Sequence, residues 1–127
     1  MTRRQLGAVV IDCQVDDLDE AAAFWSGVFG YEAKRYPNPE DANYIHLDTP
    51  PGEPLILLQK VDHPSRVHLD IDTDDIESEV SRLVKLGARE HARVRDFVIM
   101  EAPTGHRFCL IPIGSDQNLA EWSEGDD

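Results

Sequence analysis

His68 and Asp70 stand two residues apart in Arg66-Val67-His68-Leu69-Asp70-Ile71-Asp72, a segment whose apolar and polar residues alternate. On a strand that spacing puts both side chains on one face, opposite Val67, Leu69 and Ile71. Histidine titrates near neutrality and a neighbouring carboxylate sets its tautomer, so the pair has the makings of a general base or a lone metal ligand. Ala8 to Val15 alternates in the same way, with Val9, Ile11, Cys13 and Val15 on one face and Val10, Asp12 and Gln14 on the other. Treated as equivalent strands, the two segments bring Asp12 and Gln14 onto the face that carries His68 and Asp70. Two readings of this polar group stand side by side. It is a site with His68 as its catalytic residue, or a set of hydrogen bonds that knits two halves of the chain together.

Other residues carry weaker chemical signals. Tyr44, His46 and Asp48 share a face of a third alternating segment, opposite Ile45 and Leu47, so His46 either lines a site or is a half-exposed strand residue. Cys109 lies two residues from Arg107, whose charge would lower a thiol pKa; the other reading is a small buried hydrophobe. His63, His91 and His106 fall near turns and read as loop residues. Two cysteines without CxxC spacing indicate neither a disulfide framework nor a zinc knuckle. Glycine-rich phosphate loops and a serine nucleophile elbow are both absent from the sequence.

The elements that must position these residues follow from periodicity and punctuation. Asp17 with Glu20 marks a helix start, Leu18, Ala22, Trp25 and Phe29 recur at helical spacing, and Gly30 ends the run. Tyr31 to Tyr36, Asn43 to Asp48 and Leu55 to Val61 read as strands separated by proline-rich turns. The second half repeats this order. After the strand 66–72, Asp74 with Glu77 marks a helix start, Ile76, Val80, Leu83 and Val84 form its apolar stripe, and Gly87 ends it. Ala88 to Arg95, Phe97 to Glu101 and Arg107 to Ile113 are then strands. The caps and the helix-ending glycines are 57 residues apart, whereas the strand faces align at 56, which predicts one extra residue in the second strand-to-helix turn and pairs Asp12 with His68 and Gln14 with Asp70.

The chain has 127 residues, enough for one domain with a core. Its 25 acidic and 12 basic residues leave a net charge of -13, which excludes the clustered Lys and Arg of a nucleic-acid binder and repels an anionic membrane. No apolar run approaches the roughly 20 residues of a membrane span, and the start, Met1 to Leu6, lacks the apolar stretch of a signal peptide, so a cytoplasmic protein is expected. Residues 116–127 are acidic and contain no base; Trp122 is the one residue there suited to anchoring them. The expected organisation is a single domain over 1–115, with modules at about 6–61 and 66–113, followed by the acidic tail 116–127.

Two tandem β-α-β-β-β units, with Val15-Asp16-Asp17-Leu18, Phe24-Trp25 and Val28-Phe29-Gly30-Tyr31 in the first, closely resemble the vicinal oxygen chelate superfamily of glyoxalases, extradiol dioxygenases and bleomycin-resistance proteins. Arg66 to Ile71, Leu86-Gly87-Ala88 and Arg107 to Leu110 resemble its glyoxalase-like domain proteins most. The resemblance implies an α+β fold in which two βαβββ modules form a curled mixed sheet with a concave cleft and the helices outside. It also implies four metal-ligand positions, which fall at Val10, near Gln59, near Arg66 and at Cys109. A hydrocarbon and a guanidinium cannot ligate a divalent ion and a glutamine amide is a weak ligand, so no cofactor is expected, a divalent metal remaining possible only without its usual ligands. Ala102-Pro103-Thr104-Gly105 departs from the family's Asp-Pro-x-Gly turn, which removes a turn-initiating side chain.

Three functions follow as expectations. The first is a small-molecule binding protein of the bleomycin-resistance type whose acidic body favours a cationic ligand, with Asp12, Gln14, His46, Gln59, Arg66, Asp70 and Cys109 around the ligand. The second is a lyase or isomerase on a carbonyl compound, with His68 as base or as ligand to a non-standard metal. The third is a protein-interaction domain. The resemblance further implies a homodimer.

Overall fold

The computed structural model describes residues 3–113. The acidic segment 116–127, with Trp122, lies outside the described residues. In chain order the elements are β1 (Arg4–Cys13), α1 (Leu18–Phe29), β2 (Ala33–Arg35), a 3-10 turn (Pro39–Asp41), β3 (Tyr44–Leu47), β4 (Leu55–Lys60), β5 (Arg66–Thr73), α2 (Ile76–Lys85), β6 (Arg89–Val94), β7 (Phe97–Glu101) and β8 (Arg107–Pro112). The β-α-β-β-β order therefore occurs twice, as the residue pattern predicts, and the fold is α+β with two helices and eight strands of mixed sense, as the resemblance implies. Contacts divide the chain into two compact units, Val9–Val67 and Met1–Ala8 with His68–Asp127, so β1 contributes to both.

In the unit Val9–Val67 the strand order is β2-β3-β4-β1. β2 and β4 each run antiparallel to β3, and the backbone N–H of Val61 donates to the Cys13 carbonyl at 3.0 Å where β4 ends beside β1. Asp17 caps α1 by accepting from the Asp19 N–H, and Gly30 closes it in the left-handed conformation, φ 76°, that a side chain would disfavour. One sheet face and α1 enclose a core of Ile11, Cys13, Leu18, Ala22, Ile45, Leu47 and Leu58, with Trp25 packed at its margin. Leu47 and Leu58 are 0% exposed, and burial of each contributes roughly 1.5–3 kcal/mol. Alternation turns Val10, Asp12, Tyr44, His46, Leu57 and Gln59 to the other face.

In the other unit β5 runs parallel to β8, β7 pairs antiparallel with both β8 and β6, and the first half of β1 flanks β5. The core is Ala88, Val98, Met100 and Leu110, covered by Ile71, Ile76, Val80, Leu83 and Phe108. Glu79 breaks the apolar stripe of α2. It is 0% exposed and is held by Arg4 Nε at 3.0 Å and Arg82 Nη2 at 2.8 Å.

Four expectations need correction. β1 stops at Cys13, so Gln14 is not a strand residue; its N–H donates to Ser65 Oγ at 3.0 Å and its amide to the Asp62 carbonyl at 3.1 Å, bonds that replace a strand ladder. The cap of α2 is Asp75, which accepts from the Ser78 N–H, and not Asp74. Asp74 is used elsewhere: Arg3 N–H donates to its carboxylate at 2.8 Å, and Asp74 N–H donates to the Arg3 carbonyl at 3.2 Å. With caps at Asp17 and Asp75 the helices start 58 residues apart, where Asp17 and Asp74 give 57. Finally, Val67 and Leu69, expected beneath a helix, are 58% and 43% exposed, because α2 packs on Ile71 further along β5.

Candidate functional site

The strongest chemical grouping lies on β5 and β8. The parallel register sets Asp70 opposite Cys109, and His68 precedes Asp70 on the same face. One donor atom from each of His68, Asp70 and Cys109 lies within 4.8 Å of the other two. His68 Nε2 stands 3.5 Å from Asp70 Oδ1, a contact longer than an ordinary hydrogen bond, and that oxygen is buried and accepts no hydrogen bond. The side chains are 12% and 9% exposed. Asp72, two residues on, is also buried and continues the acidic face. Arg107, the cation that the sequence offers to the Cys109 thiol, donates instead to Glu101 at 3.3 Å, and Glu101 also takes Arg89 at 2.8 Å. Its charge is thereby balanced by a carboxylate.

A second grouping surrounds Asp12 in the unit Val9–Val67. Asp12 is 2% exposed; Arg66 Nε donates to its Oδ2 at 3.4 Å, and His63 Nε2 lies 3.9 Å from the same oxygen. Sequence reasoning left His63 as a loop residue, since nothing in its local pattern marks a contact 51 residues away. Burial and the Asp12 charge push the neighbouring Cys13 thiol upward, which keeps it protonated. Gln59 donates its amide to Tyr44 Oη at 3.2 Å, and the His46 ring packs against Tyr36 at a tilt of 31°, with ring centroids 4.7 Å apart. Burial lowers the His46 pKa; Asp48 pulls it up and Lys34 pushes it down. Gln14, which the sequence grouped with Asp12, lies instead in an open groove of about 770 Å³ with Asp16, Asp17, Glu20, Lys60 and Asp62. Lys60 Nζ donates to the Asp16 carbonyl there at 2.9 Å.

The residues at the four metal-ligand positions implied by resemblance are each engaged in their own unit. Val10 is a buried hydrocarbon, Arg66 is spent on Asp12, and the Gln59 amide faces Tyr44. Of the four only Cys109 sits among competent donors.

The sequence model of the glyoxalase-like domain matches residues 8–111. The chain belongs to that family, within the vicinal oxygen chelate superfamily. Its fold is similar to a Streptomyces coelicolor methylmalonyl-CoA epimerase variant in complex with 2-nitronate-propionyl-CoA, at 15% identity over 87% of this chain and 97% of that one, with a TM-score of 0.64. The methylmalonyl-CoA epimerase of Mycobacterium tuberculosis is similar at 17% identity over 84% and 86%, TM-score 0.62. A hypothetical protein of Bacillus halodurans C-125 is similar at 14% identity over 86% and 94%, TM-score 0.60. At these identities the likeness is one of fold. None of the curated proteins compared with the chain matches it. Among the described residues no helix is long and apolar enough to cross a membrane.

Proposed function

We propose that this glyoxalase-like domain protein binds a small molecule at the β5–β8 face, without the four-ligand metal set of its superfamily. The observation that carries the reading is the convergence of His68, Asp70 and Cys109, three groups of different chemistry within 4.8 Å. A purely structural cluster would satisfy its buried polar atoms, whereas Asp70 Oδ1 accepts no hydrogen bond, as expected of a group kept for a ligand. In this reading the protein is a cytoplasmic homodimer that binds neither nucleic acid nor membrane, and its net charge of -13 supports the exclusion of polyanions.

A second reading, a lyase or isomerase on a carbonyl compound, is favoured by the His68–Asp70 contact at 3.5 Å. There the neutral imidazole takes a proton from the carbon beside the carbonyl, and the Asp70 carboxylate stabilises the imidazolium that results. Solved proteins of similar fold include an epimerase holding a CoA thioester analogue, so the fold accommodates such a ligand.

A thermal-shift screen of amines, carboxylic acids and acyl thioesters against the protein and its His68→Ala variant tests both. A ligand that binds the parent and loses the variant supports the β5–β8 face; turnover of a thioester by the parent alone favours the isomerase. A ligand held equally by both forms removes His68 from the site.

A further inference from the structure

Cys13 and Cys109 are the two cysteines of the chain, 5% and 9% exposed, so access alone does not separate them. Their partners do. Cys13 Sγ donates to the Ile11 carbonyl at 3.3 Å, and burial and the Asp12 charge keep it protonated. The Cys109 sulfur instead has a histidine nitrogen and a carboxylate oxygen within 4.8 Å. Arg107 is spent on Glu101, which leaves the His68 imidazole to take the Cys109 proton. A thiol is a weak nucleophile until a base does so, and the imidazolium that results needs a counter-charge. Asp70 supplies it. Its side chain is 9% exposed, and its Oδ1 faces His68 Nε2 at 3.5 Å and accepts no hydrogen bond. That separation is long for a hydrogen bond and closes to roughly 2.7–2.9 Å once a protonated ring donates to the carboxylate. Nucleophile, base and orienting carboxylate are recognised by such geometry and not by sequence order.

We propose that Cys109 is a nucleophile, with His68 as its base and Asp70 as the positioning residue, and that it captures an uncharged α,β-unsaturated ketone or aldehyde by conjugate addition. This rests on the reading of the β5–β8 face as the binding site and names the class of molecule held there. His68 takes the Cys109 proton as the sulfur electron pair forms a bond to the β-carbon of the alkene. The alkene π pair moves to the α-carbon, where the imidazolium returns the proton. One S–C and one C–H bond replace the S–H bond and the C=C π bond, with no leaving group, oxidant or further reactant. The imidazole ends as it began, so one base is sufficient for the whole step. Asp70 and the buried Asp72 two residues on give this strand face an acidic character that disfavours an anionic electrophile.

The test treats the full chain with methyl vinyl ketone and follows adducts by intact mass and peptide mapping. One adduct per chain is expected, at Cys109, formed at least about 10-fold faster than at Cys13, the internal reference. His68→Ala is expected to slow addition at Cys109 by about 100-fold or more, the low end of what a general base contributes. A structural role for His68 predicts the opposite, since a loosened fold exposes the thiol and speeds its reaction. Asp70→Asn is expected to slow the addition as well, and Asp70→Glu, which keeps the carboxylate, to restore it. Should the variants fold poorly, the parent decides by the ratio of Cys109 to Cys13 labelling. Equal labelling of the two cysteines, a rate at Cys109 unchanged or raised in His68→Ala, or equal rates in Asp70→Asn and Asp70→Glu overturns the proposal. Thermal stabilisation by methyl ethyl ketone, the saturated counterpart, that depends on His68 without any adduct from the unsaturated ketone overturns the nucleophile and leaves the binding face intact. A Cys109 adduct in a protein that methyl ethyl ketone stabilises no more than it does His68→Ala overturns the binding reading and keeps the nucleophile.

Discussion

The Asp72 carboxylate lies against the α-carbon of Gly7, in the space that a side chain at residue 7 would fill. A methyl group there would meet the Asp72 carboxyl carbon and both of its oxygens well inside van der Waals contact, and Asp72, 5% exposed on β5, has a short side chain with little room to retreat. Gly7 is therefore required by packing and not by its backbone angles. Gly7→Ala is expected to lower stability by about 1–3 kcal/mol, the usual cost of overpacking. A double-mutant cycle with Asp72→Ala, read from urea midpoints, should show the two losses to be strongly non-additive. Additive losses would place the Asp72 carboxylate elsewhere.

Glu79 ties α2 to β1 through Arg4 and to its own helix through Arg82. Burial raises the Glu79 pKa, but the hydrogen bonds and charges of Arg82 and Arg4 outweigh it and hold the carboxyl below its ordinary value. A carboxylate with a depressed folded pKa stabilises the fold fully above the unfolded value, about 4.3, and loses that contribution as pH falls through the folded one. The parent should therefore lose stability on acidification below about pH 5, and Glu79→Gln should lose less over the same range while being less stable at pH 7. Parallel pH profiles for the two proteins would remove Glu79 from the acid response.

His46 is expected to titrate below an ordinary histidine, because burial against Tyr36 disfavours its charged form and Lys34 adds to this against the pull of Asp48. Its lowered pKa means that stability is lost as pH falls through the unfolded value near 6.5, since the unfolded chain binds the proton first. Proton NMR of the imidazole should place its midpoint below the ordinary histidine value near 6.5. A midpoint at or above that value would contradict the burial described for β3.

The start of α2 can be settled one residue at a time. Asp75→Ala is expected to cost about 1 kcal/mol, the usual loss of an N-cap, and to speed hydrogen exchange at the Ser78 N–H that Asp75 accepts. Asp74→Ala is expected to leave the Ser78 amide protected and to affect Arg3, whose N–H it accepts. Exchange at Ser78 that responds to Asp74→Ala instead would restore the cap to that residue.

Local pattern alone determined most of the architecture. Alternation defined β5 within one residue and β7 to the residue, and Asp17 with Gly30 bounded α1, because strand pleat, helical pitch and caps are short-range properties of the chain. The pairing of His68 with Asp70 was legible for the same reason, being two residues on one pleated strand. What the tertiary structure alone decided is which remote groups use up a side chain's bonding capacity. Arg3 claimed Asp74 and so moved a cap, Glu101 claimed Arg107, and the Asp62 carbonyl claimed Gln14. Cys109 joined His68 and Asp70 through the register of β5 against β8, which no property of either strand by itself dictates. Periodicity assigns a residue to a face, but the partner across that face is set by strand pairing and packing over dozens of residues, and a site is made of such partners.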